Sequence, residues 1–258
     1  MEKYILLFLL VFGLSFHGIT QKKTDASQRN NKFTELKSKQ NNKHKANIEK
    51  IATKQAKPTN ATIKLDSTIS HGYNKIVITY DTLTNKTTEI EYYNDWWTGL
   101  WEPESKEEYI TNTDGYIIEL IDYYWNGSAW ESSNKYTASY NPSHQIAEVL
   151  VYYYDDFFSV WELYLKIEFT YNAGGEIVSE DEYLWDDFNT TWVDFLKTIY
   201  SYDTQGNLFL QKRDYWDDIS NVWIPIDKTD YFYNTSFQLS STLYSWWDDV
   251  SNLWESSE

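Results

Sequence analysis

The sequence predicts an all-β fold, an antiparallel β-hairpin repeat meander with a period of about 31 residues. Three observations carry this prediction. Tyr140, Tyr171, Tyr202 and Tyr233 recur at intervals of 31, and a fixed period of this size marks a stack of supersecondary units. Each Tyr is followed by Asn141, Asn172, Asp203 or Asn234, and six positions on by an aliphatic: Ile146, Ile177, Leu208 or Leu239. Between the turn-forming clusters lie stretches of about nine residues rich in Tyr, Ile, Val, Leu and Thr, which are strand formers at an ordinary strand length.

Each unit holds two turns and two strands. The first turn is clearest at Tyr202-Asp203-Thr204-Gln205-Gly206-Asn207, where Gly supplies a positive φ and Asp caps its own backbone. The second opens on an aromatic (Tyr154, Trp185, Trp216, Trp247), runs through Asp155-Asp156, Asp186-Asp187, Asp217-Asp218 or Asp248-Asp249, and closes on Trp161, Trp192, Trp223 or Trp254. Two shorter, earlier copies place Trp96 with Trp101 and Trp125 with Trp130. Six units therefore predict roughly a dozen strands in an up-and-down sheet. A Lys stands five residues after each closing Trp, at Lys106, Lys135, Lys166, Lys197 and Lys228. By strict alternation Trp161, Leu163, Leu165, Ile167 and Phe169 share one face, and Glu162, Tyr164, Lys166 and Glu168 the other. Neither face is polar in every unit, so the sheet is predicted either flat or coiled on itself.

Two segments precede the repeats. Met1-Glu2-Lys3-Tyr4 leads into an apolar run from Ile5 to Leu14, the length of a signal-peptide core and too short to span a bilayer. Residues 1–20 thus read as a signal peptide that is cleaved after Thr20, directing the protein to the cell surface or the medium. Residues 21–65 carry 12 Lys/Arg against three acids with few apolar residues, the composition of a basic disordered linker. Residues 66–258 reverse the balance, with 35 acids against nine Lys/Arg. That acidic, aromatic-rich repeat domain excludes a nucleic-acid groove, which needs clustered cations, and its self-repulsion favours a monomer.

Composition also excludes several chemistries. There is no Cys, hence no disulfide framework, thiolate metal site or cysteine nucleophile. His17, His44, His71 and His144 have no paired spacing, and neither a phosphate-binding glycine loop nor a Gly-x-Ser-x-Gly elbow occurs. Paired carboxylates recur in every unit, and repetition marks them as structural rather than as a glycosidase pair. The sequence predicts no enzyme.

Tyr202-Asp203-Thr204-Gln205-Gly206-Asn207-Leu208 resembles the signature of the YD-repeat (rearrangement hot spot) proteins. The unit here is longer, because the Asp-Asp turn extends the hairpin, and Tyr140-Asn141-Pro142 and Tyr233-Asn234-Thr235 lack the Gly. Over about 73–258 the pattern is similar to repeat regions of secreted Bacteroidetes proteins. The resemblance implies hairpins in a curling sheet at the cell surface, and no catalytic residues.

Candidate sites follow the repeat. Trp185 with Trp192, Trp216 with Trp223 and Trp247 with Trp254 flank a six-residue turn, which suits an edge-to-face clasp on each hairpin. The same Trp pairs, about 9–10 Å apart from hairpin to hairpin, would also serve as stacking platforms for sugar rings. Asp186, Asp187, Asp217, Asp218, Asp248 and Asp249 offer oxygens to calcium, although their spacing matches no calcium loop. Solvated, self-capped turns explain them equally. The recurrent Lys is read as neutralising neighbouring carboxylates. No other cofactor is implied. The expected function is an exported, adhesin-like interaction scaffold that meets a surface polysaccharide or an envelope protein; the alternative is a carbohydrate-binding module. The last unit stops at Glu258, one position before its Lys would fall. The repeat domain is therefore expected to be truncated at its C-terminal end, the parent gene continuing beyond it.

Overall fold

The computed structural model describes residues 47, 50, 51, 66–70, 74–81 and 83–256, with residues 66–70 described as backbone only. The predicted signal peptide and nearly all of the predicted linker lie outside the described residues. The chain divides into two compact units, 1–47 and 48–258, and the second holds the sheet.

Fourteen strands form that sheet: β1 (Asp66–Ser70), β2 (Asn74–Asp81), β3 (Lys86–Asn94), β4 (Trp101–Thr111), β5 (Ile117–Trp125), β6 (Trp130–Tyr140), β7 (Ile146–Asp155), β8 (Val160–Tyr171), β9 (Ile177–Asp186), β10 (Thr191–Tyr202), β11 (Leu208–Asp217), β12 (Val222–Tyr233), β13 (Leu239–Asp248) and β14 (Leu253–Ser256). They stand side by side in chain order, each antiparallel to the next. The predicted all-β hairpin meander is therefore the observed architecture.

Two kinds of turn alternate along the sheet. At one end the Asx residue after the repeating Tyr does the work. The Asn172 side-chain oxygen accepts from the backbone N–H groups of Gly174 (2.9 Å) and Glu176 (3.1 Å), and Asp203 does the same for Gln205 and Asn207 (both 2.9 Å). Asn141 and Asn234 build identical turns without any Gly, holding His144 at φ 62° and Phe237 at φ 58°. The Asx oxygen, more than the Gly, defines this turn. Each repeating Tyr then reaches back one strand: the Tyr171 hydroxyl donates to the Ile146 carbonyl (2.8 Å), Tyr202 to Ile177 and Tyr233 to Leu208 (both 2.9 Å).

The Asp-Asp turns form the other end, and each ends on a residue with positive φ: Ser159, Thr190, Asn221 or Asn252. Thr190, at φ 49°, is β-branched, and such residues are disfavoured there whereas Asn is tolerated. Thr190→Asn, the residue used by the next two units, should stabilise the protein by about 1 kcal/mol. A denaturation midpoint that falls or stays put would disprove it.

Strict alternation fails near the Trp-end turn of five hairpins, from β3–β4 to β11–β12, and holds in β13–β14. Val151 faces Leu165 while the next residue, Tyr152, faces Leu163, so Tyr164 is an extra, bulged residue. Equivalent bulges fall at Glu104, Ser133, Phe195 and Ile226. Partners directly opposite share a face, and a bulge shifts the phase by one. Trp161 and Leu163 therefore lie on the opposite face from Leu165, Ile167 and Phe169, which corrects the single stripe expected from sequence. A second set of bulges, at Ile118, Ala147, Val178, Phe209 and Ser240, sits beside five of the Tyr-end turns. Bulges add local bend and right-handed twist, here at matching places in successive units.

One face carries the core. Tyr109, Ile117, Leu120, Tyr136, Val149 and Val151 are at most 1% exposed, and Ile51 packs among them. Lys50 and Ile51 have helical backbone, and Lys50 pairs with Glu89 (3.7 Å) and Glu107 on that same face. Farther along the sheet apolar burial thins out, and the buried side chains of β11 to β13 are Asp214, Asp227 and Ser245.

Candidate functional site

The face opposite the core carries the aromatic pairs. Directly opposed strand partners at Trp125–Trp130, Tyr154–Trp161, Trp185–Trp192, Trp216–Trp223 and Trp247–Trp254 stand 4.9–5.4 Å apart, edge to face at 62–71°. All are half-buried. Such geometry places the positive edge of one ring on the negative face of its partner, worth about 0.5–1.5 kcal/mol per pair beyond burial.

The recurrent Lys fills the space behind each pair. Lys166 Nζ lies 4.2 Å from the ring centre of Tyr183 and 5.6 Å from that of Trp192. Lys106 sits likewise between Tyr123 and Trp130, and Lys135 between Tyr152 and Trp161. Lys197 and Lys228 keep only the Trp partner, at 5.2 and 5.4 Å, because Asp214 and Ser245 occupy the Tyr position. Carboxylates complete the arrangement, with Lys166 on Glu168 at 2.7 Å, Lys197 on Asp181 at 2.9 Å and Lys228 on Asp230 at 3.0 Å. Pairing with neighbouring carboxylates is the general role that sequence reasoning expected, without naming the partners; the cation–π contacts were not expected, though a Tyr 17 residues after each of the first three Lys was there to be read.

The Asp pairs split into two roles. The first acid caps its own turn: Asp186 accepts from the backbone N–H of Phe188 (2.9 Å) and Asn189 (3.2 Å) and from the Asn189 amide (2.7 Å). Asp217 and Asp248 bind Ile219 and Ser220, and Val250 and Ser251, in the same way. Hydrogen bonds from the Asn189, Ser220 and Ser251 side chains, then the backbone donors, hold these three carboxyls below the usual aspartate range. The second acids, Asp187, Asp218 and Asp249, are exposed. Desolvation, then the neighbouring Asp248, pushes the Asp249 carboxyl upward. Among the described residues no group of three or more His, Asp or Glu side chains is arranged to hold a metal ion, and no helix is long and apolar enough to cross a membrane, which says nothing of strands.

Sequence reasoning missed the apolar residue that comes directly after each acid pair. Phe157, Phe188, Ile219 and Val250 occupy one repeat position and are 83%, 92%, 93% and 87% exposed. The β3–β4 turn at the same end adds exposed Trp96 and Trp97, 4.1 Å apart. At the Tyr end the tips are polar or small, as in Ala173-Gly174 and Thr204-Gln205, apart from Leu83 and Phe237. The signal was present as Asp-Asp followed by Phe, Phe, Ile or Val.

Fold and surface together define an antiparallel hairpin-repeat protein with one apolar-tipped end. No family model and no curated protein matches the chain. Among solved structures it is similar to a protein of unknown function from Bacteroides fragilis NCTC 9343, at 14% identity and a TM-score of 0.41 over 49% of this chain and 89% of that one. It is also similar to a DUF3836 family protein from Parabacteroides distasonis ATCC 8503, at 22% identity and a TM-score of 0.30 over 34% and 79% of the two chains. A porin-like protein from Bacteroides uniformis ATCC 8492 matches at 11% identity and a TM-score of 0.36 over 75% and 92%.

Proposed function

We propose that this is an exported, non-catalytic repeat protein that acts through its surface, as an adhesin-like interaction scaffold at the cell surface or in the medium. The supporting observation is the set of apolar side chains, 83–93% exposed, at one repeat position of four hairpins. Neither turn closure nor the core uses them, and exposed apolar rows on soluble domains serve as contact surfaces. The apolar run from Ile5 to Leu14 supports export, and the Tyr-Asx turn supports kinship with YD-type repeats. Purified protein should be retained on envelope fractions in the presence and absence of calcium. Failure to bind any fraction would count against the reading.

A second reading, a carbohydrate-binding module, is favoured by the ladder of Trp pairs on one face. It competes with the clasp role, because the edge of one ring and a Lys already lie against the pair. A Trp216→Ala, Trp223→Ala double variant separates the two. The clasp role predicts a loss of stability of about 2–4 kcal/mol and no effect on a glycan array. Selective glycan retention, lost in a variant that stays folded, would establish the module instead.

A further inference from the structure

We propose that the apolar-tipped end of the sheet is a docking edge for an extended, cationic and apolar segment of a partner protein. This rests on the scaffold reading and names the chemistry of its partner. Phe188, Ile219 and Val250, at three successive Trp-end turns, are 92%, 93% and 87% exposed. Each follows directly on an exposed acid, Asp187, Asp218 or Asp249, which among the described residues is in no hydrogen bond or ion pair, whereas the preceding acid is consumed in capping the turn. Every tip therefore offers one carboxylate and one apolar side chain. The turn needs neither, since its own bonds run to Asp186, Asp217 and Asp248.

Spacing selects the conformation of the occupant. Successive tips are two strands apart, about 9.5 Å. A polyproline-type chain advances about 9 Å in three residues and repeats its side-chain direction every third residue, so apolar residues at every third position would meet successive tips. Cationic residues between them would meet the carboxylates. Charge selects the sign of the partner: residues 66–258 carry 35 acids against nine Lys/Arg, which repels anionic lipid surfaces and polyanions. Each tip is a weak contact, and a row of them gains strength by acting together.

The test is fluorescence anisotropy at physiological salt, where long-range attraction is screened beyond about 8 Å. The probe is a labelled peptide of three Leu-Lys-Lys triplets, with a Ser-Lys-Lys peptide as control. The Leu peptide should bind at least tenfold more tightly. Phe188→Ser, Ile219→Ser, Val250→Ser together should abolish that advantage, whereas Asp187→Asn, Asp218→Asn, Asp249→Asn together should weaken both peptides, and unchanged binding by that acid variant would also overturn the proposal; the exposed positions leave the fold intact, checked by circular dichroism. Equal binding of both peptides would reduce the interaction to charge alone and overturn the proposal. So would unchanged binding by the apolar variant, or tip-dependent uptake on phosphatidylcholine vesicles without peptide binding. Retention on envelope fractions with no preference for the Leu peptide would sink this inference and leave the scaffold reading standing.

Discussion

Ile117→Ala should lower the unfolding free energy by about 3 kcal/mol, while Leu239→Ala, at the same position of the repeat, should cost under about 1 kcal/mol. Truncating a fully buried Ile removes its transfer free energy and leaves a cavity, together about 2–5 kcal/mol. Ile117 is 0% exposed and lies in the cluster with Tyr109, Leu120 and Tyr136, whereas Leu239 is 54% exposed. The backbone is spared in both variants: the Ile117 carbonyl keeps its bond from the Tyr140 hydroxyl (2.7 Å), whose pKa burial pushes up to about 12. The contrast tests whether stability runs down the sheet from its N-terminal half. Urea midpoints give the two losses. Hydrogen exchange gives the same gradient locally, with protection highest in β5 to β8 and lowest in β13. Equal losses would mean that every unit is held by its ladder and aromatic pair, with the core incidental.

How much of this was legible depends on what each position must do. The Tyr-Asx turns were readable because Asn172 or Asp203 performs a task that few side chains can, capping its own backbone. The Trp pairs were readable because opposed partners across a turn are fixed by loop length. The bulges were not: Glu104, Ser133, Tyr164, Phe195 and Ile226 share no chemistry, since a bulged residue needs only backbone geometry. Reading alternation straight through Tyr164 therefore put Trp161 and Leu165 on one face when they lie on two. Ile51 was hidden for another reason. One buried Ile in a polar, basic stretch gives no periodicity, and its place in the core comes from the sheet it meets. The tips were overlooked because the acids before them drew a metal reading, although the first of each pair is fully engaged by its own turn.

The second large effect lies where the core turns ionic. At the position where an earlier unit opposes Val151 to Leu165, the later one opposes Arg213 to Asp227. Arg213 donates through Nε to Asp227 (2.8 Å) and through its terminal nitrogen to the other oxygen, and the Tyr244 hydroxyl donates to that oxygen too (3.2 Å). Asp227 is 5% exposed, while the Arg213 side chain is 40% exposed. Asp227→Ala should therefore cost about 2–3 kcal/mol: less than the 3–5 kcal/mol for breaking a wholly buried pair, because water still reaches the guanidinium. Replacing the pair by its counterparts, Arg213→Val with Asp227→Leu, should recover stability to within about 1 kcal/mol of the parent. Removing both charges removes the desolvation penalty together with the attraction, and the repeat has already accommodated those two side chains at this place. Tyr244, 47% exposed, can turn its hydroxyl to solvent. Thermal melts of parent, single and double variants decide the matter. A double variant as damaged as the single would show that this stretch of the sheet requires the ionic contact, and that successive units are not interchangeable in their cores.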